Sequence, residues 1–372
     1  MKRIMTNLFV FLLLPLILIT GCEKSKSPVK IGLVGGLTGR HSDLGINGRN
    51  GAIYAVEEIN RTGGINGRNV ELISKDDKQD PDIARQVVRE LIDEKVTAIV
   101  GHFTSAMSMA TVDEINKAKL VMVSPTTSTN LLTSIDDFFI RVMSPNEAAI
   151  DELADHMFNT LGLRRIAVVY DKLNEAYSKS WYDRLADQQR AIDGLSVIPI
   201  PYTSSQELKF ADLAAQVLAE SPDGILVVTA ALDASMLCQQ FRKSDTDTAI
   251  FSTMWAMTED FIQHGGPAAE DVTFAHWFYK EYQSSKSENF RNGYQERFGE
   301  APIFASYFAY EAAVVIFAAL KVNDDPADLK KTILNLRKFD GTQGVIEIDE
   351  YGDPKRKVFL MTVKDGKFVS LE

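Results

Sequence analysis

From Val29 onward, short apolar runs alternate with longer stretches whose apolar residues recur every three or four positions. Runs of this kind read as buried strands, and the wider spacing reads as helices buried along one face. The first set predicts strands at 29–33, 70–74, 97–100 and 120–123, with helices at 50–60, 80–93 and 106–118. In the first helix, Ala52, Ile53, Val56 and Ile59 mark the buried stripe. A second set follows, with helices at 145–160, 178–191, 210–220 and 234–243 and strands at 165–170, 195–200, 224–228 and 249–252. Such alternation predicts a parallel sheet covered by helices on both faces, and its recurrence predicts two α/β units. The tail breaks the rhythm. Helices at 289–298, 306–322 and 326–336 precede hairpin-like strands at 344–348, 356–363 and 367–371, a tail that two units can share if the chain crosses between them more than once.

One loop stands out against this pattern. After the apolar run Leu120-Val121-Met122-Val123 come Ser124-Pro125-Thr126-Thr127-Ser128-Thr129-Asn130, in which five of the seven residues carry hydroxyls. Open α/β sheets bind ligands beyond the carboxyl ends of their strands, where this stretch would sit. On local sequence it reads equally as a polar turn.

The chain of 372 residues is long enough for two domains of roughly 150 residues each. Its formal charge of −11, without a long basic block, argues against nucleic acid or an anionic membrane surface as partner. The N-terminus differs from the rest. Lys2 and Arg3 precede a nearly unbroken apolar run from Leu8 to Ile19, which ends in Ile19-Thr20-Gly21-Cys22. This resembles a bacterial lipoprotein signal, removed as residues 1–21 after lipid attachment to the Cys22 thiol. The alternatives are a plain signal peptide and a transmembrane anchor, for which the run is short. An acylated Cys22 would hold the protein at a membrane surface through residues 22–28 as a tether. It would also leave Cys238 as the one free thiol, expected as a small buried helix residue.

Motifs for other functions are missing. No Gly-x-Gly-x-x-Gly follows a strand with the right spacing, and there is no Walker A lysine motif and no Gly-x-Ser-x-Gly elbow. His41, His102, His156, His264 and His276 are scattered, and there is no Cys pair, so no metal or cofactor is expected. No nucleophile, base and orienting group can be assembled from motif spacing, and an enzyme is not expected.

The segment 30–105 resembles the solute-binding proteins of the branched-chain amino acid (leucine, isoleucine, valine) type that serve ABC importers. The matching residues include Ile31-Gly32-Leu33, Leu37-Thr38-Gly39, Gly51-Ala52, Glu58-Ile59-Asn60, Gly63-Gly64-Ile65-Asn66-Gly67-Arg68, Asp76-Asp77, Asp80-Pro81, Ala98-Ile99-Val100-Gly101 and Ser105. The likeness continues more thinly through Ile166 to Asp171, Tyr177 and Tyr310-Glu311-Ala312-Ala313. It implies a type I periplasmic-binding fold, with two Rossmann-like lobes joined by three crossovers. The lobes are expected at 29–144 with 279–345 and at 145–278 with 346–372. On chemical grounds Gly63 to Gly67 is scaffold, a sharp turn needing positive φ. Asp76 and Asp77, ahead of Asp80-Pro81, read as capping residues rather than ligand contacts.

The resemblance implies that Ser105, Thr126, Thr127 and Ser128 hold a ligand carboxylate through hydroxyls and backbone N–H groups, with Tyr177 contributed by the second lobe. Donors at a strand end and a helix N-terminus favour an anion without an arginine. The chain also departs from the family. The family's amino acid binders place an aromatic near Leu44 and an ammonium-pairing carboxylate near Met254, and neither residue can do that work. Trp255, Tyr307 and Tyr310 are candidate ligand contacts in its place, with Trp277 and Tyr279 nearby, and each reads equally as core packing. A loop shift would let Glu259 or Asp260 supply the missing acid.

The expected ligand therefore keeps a carboxylate or amide, lacks a firmly held α-ammonium, and places an apolar or aromatic body near Trp255. The expected function is a monomeric, lipid-anchored extracytoplasmic solute-binding protein of the bacterial envelope, working with ABC permease and ATPase subunits. The alternative is a ligand sensor of the same fold not coupled to import.

Overall fold

The computed structural model describes residues 27–371, apart from 40, 205–206, 245–246, 279–281 and 283. The lipidation expected at Cys22 and the aromatic Tyr279 lie outside the described residues. In the first unit, strands β1 (Val29–Gly35), β2 (Val70–Asp76), β3 (Ala98–Val100), β4 (Met122–Ser124) and β5 (Phe139–Arg141) form a parallel sheet in the order β2-β1-β3-β4-β5. Helices α1 (Asp43–Arg61), α2 (Pro81–Asp93) and α3 (Ser105–Ala118) connect them.

The second unit opens with α4 (Glu147–Asp155), then alternates β6 (Arg165–Asp171), α5 (Glu175–Asp187), β7 (Ser196–Tyr202), α6 (Phe210–Ala219), β8 (Gly224–Val228), α7 (Ala231–Lys243), β9 (Ala249–Thr253), α8 (Glu259–Gly265) and β10 (Thr273–His276). Then come α9 (Ser285–Phe298), α10 (Phe304–Val322), α11 (Leu329–Leu336), β11 (Lys338–Gly341), β12 (Gly344–Glu347), β13 (Phe359–Lys364) and β14 (Lys367–Ser370). The second sheet runs β14-β13-β10-β9-β8-β6-β7, with β13 and β14 antiparallel at its edge.

The chain passes to the second unit after β5, returns after β10 so that α9 and α10 pack on α1, and crosses again between β12 and β13. Helix α10 is apolar and long enough to cross a membrane, yet it is buried against α1, β3 and β4 as a core helix.

Local chemistry explains several elements. Pro81 opens α2, and Asp80 caps it by accepting from the Asp82 and Ile83 N–H groups. At the turn after α1, Gly63, Gly64, Asn66 and Gly67 all have positive φ, and a Cβ on Gly64 would lie 2.0 Å from the Arg68 carbonyl oxygen. Asp76 does not cap α2. It accepts from the Leu37 and Lys78 N–H groups and the Thr38 hydroxyl, tying the loop after β1 to the end of β2.

Three strands fall outside the sequence expectation. β5, β10 and β11 have three or four residues each, and Arg141, Thr273 with His276, and Lys338 with Asp340 interrupt the apolar run that marks the equally short β3 and β4. The strand at 344–348 also differs from expectation, because β12 pairs with β11 in a separate hairpin rather than with β13.

Candidate functional site

Both parallel sheets change strand direction of progression beside their first strand, between β1 and β3 and between β6 and β8, and these are the points where such sheets leave a crevice. The two crevices face each other. A small cavity of about 20 Å³ lies between them, lined by Leu44, Phe103, Ser105, Thr126, Asn174, Tyr177, Met254, Trp255 and Phe304. Leu44, Phe103, Ser105 and Thr126 follow β1, β3 and β4 of the first lobe, while Asn174, Tyr177, Met254 and Trp255 follow β6 and β9 of the second.

On the first-lobe side Ser105 opens α3 with its hydroxyl oxygen accepting from the Ser128 and Thr129 N–H groups at 3.4 and 3.3 Å. This leaves the Ser105 O–H as a donor. The Thr126 hydroxyl donates to the Phe103 carbonyl at 2.5 Å, which joins the loop after β4 to the loop after β3. Thr127 and Ser128 face inward. Thr127 Oγ1 lies 2.7 Å from Ser108 Oγ, and the Ser128 carbonyl accepts from the Asn146 N–H at 2.8 Å. The hydroxyl-rich loop thus spends most of its polar groups on holding its own shape. Of the four hydroxyl residues expected at the site, the structure brings Ser105 and Thr126 to the cavity wall.

The second-lobe wall is aromatic. Tyr177 meets Trp255 edge-on at 5.8 Å and Trp181 at 6.3 Å, and Trp255 meets His41 at 6.4 Å. Burial pushes the Tyr177 phenol well above its usual value, with Thr253, Trp181 and the Trp255 backbone offsetting part of the shift, so its proton stays on.

Among the described residues no charged side chain lines the cavity. Met254 and Leu44 sit in its wall, as the departure from the family pattern requires. Glu259 and Asp260 line a separate pocket with Asp43, Asn47 and Glu300, and neither lines the cleft cavity. There the Asp43 carboxyl is pushed up mainly by burial, with Asp260 adding to it.

Tyr307 and Tyr310 lie elsewhere. Tyr307 packs between Phe278 and Phe290 at 4.8 and 4.6 Å, and Tyr310 donates to Glu58 Oε2 at 2.7 Å while packing on Phe290 and Tyr54. On α10 their side chains point into the first lobe. Trp277 is also buried outside the cavity. Phe103, Asn174 and Phe304 were not anticipated as lining residues, and nothing in their local sequence marks them. Asp77, expected as a cap, pairs instead with His102 Nδ1 at 2.7 Å and accepts from the Gln79 N–H, bracing the loop beneath the site. Among the described residues no cluster of His, Cys, Asp or Glu suits a metal ion.

Two α/β lobes enclosing a small uncharged cavity at their facing switch points define a two-lobed ligand-binding protein of the type I periplasmic-binding fold. The profile of the periplasmic binding protein family matches residues 28–367, and the chain belongs to that family. The family is one of binding proteins, not enzymes.

Among its relatives, an amino acid binding protein of Pseudomonas aeruginosa is 27% identical over 246 residues, spanning 64% of each chain and so a little under two thirds of that protein. The Leu/Ile/Val-binding protein homolog 3 of Brucella melitensis is 23% identical over 355 residues, 92% of this chain and 94% of that one. Of solved structures, a leucine binding protein from Thermotoga maritima superposes with a TM-score of 0.84 at 25% identity, covering 92% of this chain and 98% of that one. A solute binding protein from R. palustris in complex with benzoate has the same fold, with a TM-score of 0.83 at 18% identity over 92% of this chain and 95% of that one.

Proposed function

We propose that this chain is the solute-binding protein of an ABC importer and takes a small ligand with a carboxylate or amide at one end and an apolar or aromatic body. The observation that carries this reading is the polarity of the cleft. The Ser105 hydroxyl, at the N-terminus of α3, stands on one side with Thr126 beside it, Tyr177 and Trp255 stand on the other, and no acid lines the cavity. An α-ammonium buried here would have no partner, and an unpaired buried charge is costly. Leucine-type ligands of the relatives therefore suit this cleft less well than an acid or amide of similar size without the amino group.

The lobes are 29–144 with 279–345 and 145–278 with 346–372, the protein works as a monomer, and Cys22 carries the lipid that keeps it at the extracytoplasmic face of a bacterial membrane, beside its permease and ATPase subunits. Thermal-shift screening of the soluble chain from residue 23 tests the ligand class, because a solute that binds only the folded state raises Tm in proportion to its occupancy. A larger shift with phenylacetate or phenylacetamide than with leucine supports it. Tight binding of leucine alone rejects it. Metabolic labelling with a radioactive fatty acid, lost in Cys22→Ser, tests the anchor.

A further inference from the structure

Asn174 occupies an unusual position. It is the residue before α5, where an Asn side chain ordinarily accepts from the N–H groups of its own first turn. Here it makes no such bond. Its Oδ1 instead accepts from the Ala106 N–H at 3.0 Å, the second residue of α3 in the other lobe. The first-turn N–H groups of a helix have no partner within it, and the positive end of its dipole favours an acceptor there. Asp171 fixes the geometry, because its carboxylate accepts from the Leu173 and Ser204 N–H groups and so turns the chain after β6 to bring Asn174 against α3. Asn174 is 6% exposed and lines the cavity beside Ser105 and Tyr177.

We propose that Asn174 is a capping latch between the lobes, a positioning residue that accepts from the α3 N-terminus only when the cleft is shut and that sets the charge a ligand may carry beside Ser105. The inference rests on the reading of this cleft as the solute site. A neutral carboxamide is the group that serves both ends. It satisfies one α3 donor while leaving the remaining positive potential for an anionic or amide oxygen of the ligand. A carboxylate at the same place would satisfy the helix still better and repel a ligand carboxylate. The bond is one of at least two cross-cleft approaches. His41 Nε2 comes within 3.7 Å of Asp233 Oδ1, beyond hydrogen-bond distance.

The test uses the chain from residue 23 and three proteins, the wild type, Asn174→Ala and Asn174→Asp. Small-angle scattering without added solute reads lobe separation. Asn174→Ala should give a larger radius of gyration than the wild type, and Asn174→Asp should restore the compact value. Calorimetry with phenylacetate and phenylacetamide, which share a body and differ in charge, reads the second role. Asn174→Ala should weaken both by a similar factor, about tenfold, the equivalent of one hydrogen bond. Asn174→Asp should weaken phenylacetate by more than about tenfold while leaving phenylacetamide near its wild-type affinity, since the like charges would be only a few ångströms apart. Identical scattering from all three proteins overturns the latch, and equal losses for both compounds in Asn174→Asp overturn the charge role. The scattering arm needs no solute, so it decides the latch even where the wild type binds neither compound, a result that rejects the ligand class instead.

Discussion

Arg141 and Asp353, 212 residues apart in the chain, meet at 2.6 Å between Nε and Oδ1 in the interior. Arg141 is fully buried at the end of β5, and its other guanidinium nitrogens donate to the Thr129 carbonyl and the Thr133 hydroxyl, both at 2.8 Å. Asp353 also accepts from the Ser134 N–H. The pair therefore fastens the hydroxyl-rich loop to the last crossover between the lobes. A neighbouring knot ties down the same crossover. Arg356 donates to Glu311 Oε2 and to the Val142 carbonyl, and Glu311 Oε1 accepts from the Thr342 hydroxyl and the Thr342 and Gln343 N–H groups.

Removing one member of such a pair strands the other. Arg141→Met should lower stability by about 3–5 kcal/mol in urea unfolding, because Asp353 keeps its charge without its partner. The double variant Arg141→Met with Asp353→Leu should recover a large part of the loss. Equal stability of the single and double variants would show that the cost lies in packing rather than in the stranded charge.

Ser105→Ala removes both a donor at the cleft and the acceptor for two loop N–H groups, and should weaken solute binding by roughly 1–3 kcal/mol by calorimetry. Thr126→Val acts through the loop, since its hydroxyl is already bonded to the Phe103 carbonyl, so affinity and Tm should fall together. Wild-type affinity in both variants would place the solute elsewhere.

Tyr310→Phe separates the cleft from the core of the first lobe. Losing the bond to Glu58 should cost about 1–2 kcal/mol of stability and leave solute affinity unchanged. A drop in affinity at constant stability would return Tyr310 to the binding site.

Acid sensitivity should pass through His276. Burial holds its imidazole down at about 3, and Nδ1 accepts from the Phe278 N–H at 2.6 Å, a bond that only the unprotonated nitrogen makes. In the unfolded chain the group titrates near its usual ~6.5, so below that pH the unfolded state binds the extra proton and stability falls as pH drops toward about 3. Between pH 7 and 5 the contribution is about 2 kcal/mol. Urea midpoints at the two pH values should show a smaller drop for His276→Gln than for the wild type, and parallel drops would assign the sensitivity to other groups.

Cys238 should be silent in the folded protein. It is fully buried on α7, and burial pushes its thiol up to about 12. With the chain begun at residue 23 it is the single thiol, so a chromogenic thiol reagent should report one equivalent on denaturation and almost none before. Rapid labelling of the native state would contradict the burial.

The alternation of α and β, the positive-φ turn from Gly63 to Gly67 and the buried Cys238 could all be read along the chain, because each depends on residues a few positions apart, whereas the cap expected at Asp76 or Asp77 falls to Asp80. So could the family, and with it Ser105, Thr126 and Tyr177 as neighbours in a cleft. Strands β5 and β10 could not be read, since Arg141, Thr273 and His276 break their short apolar runs and the strands beside them hold them in place. Nor could the facing of α10, where Tyr307 and Tyr310 sit on a helix apolar all round and only its packing on α1 shows which way each ring points. Asn174 looks like an ordinary cap until the second lobe brings it against α3, and Arg141 like a surface charge until Asp353 arrives from the far end of the chain. Contacts between residues far apart in the chain are settled by how the two sheets and the crossovers between them come together, because no local pattern records which distant side chain will arrive beside them.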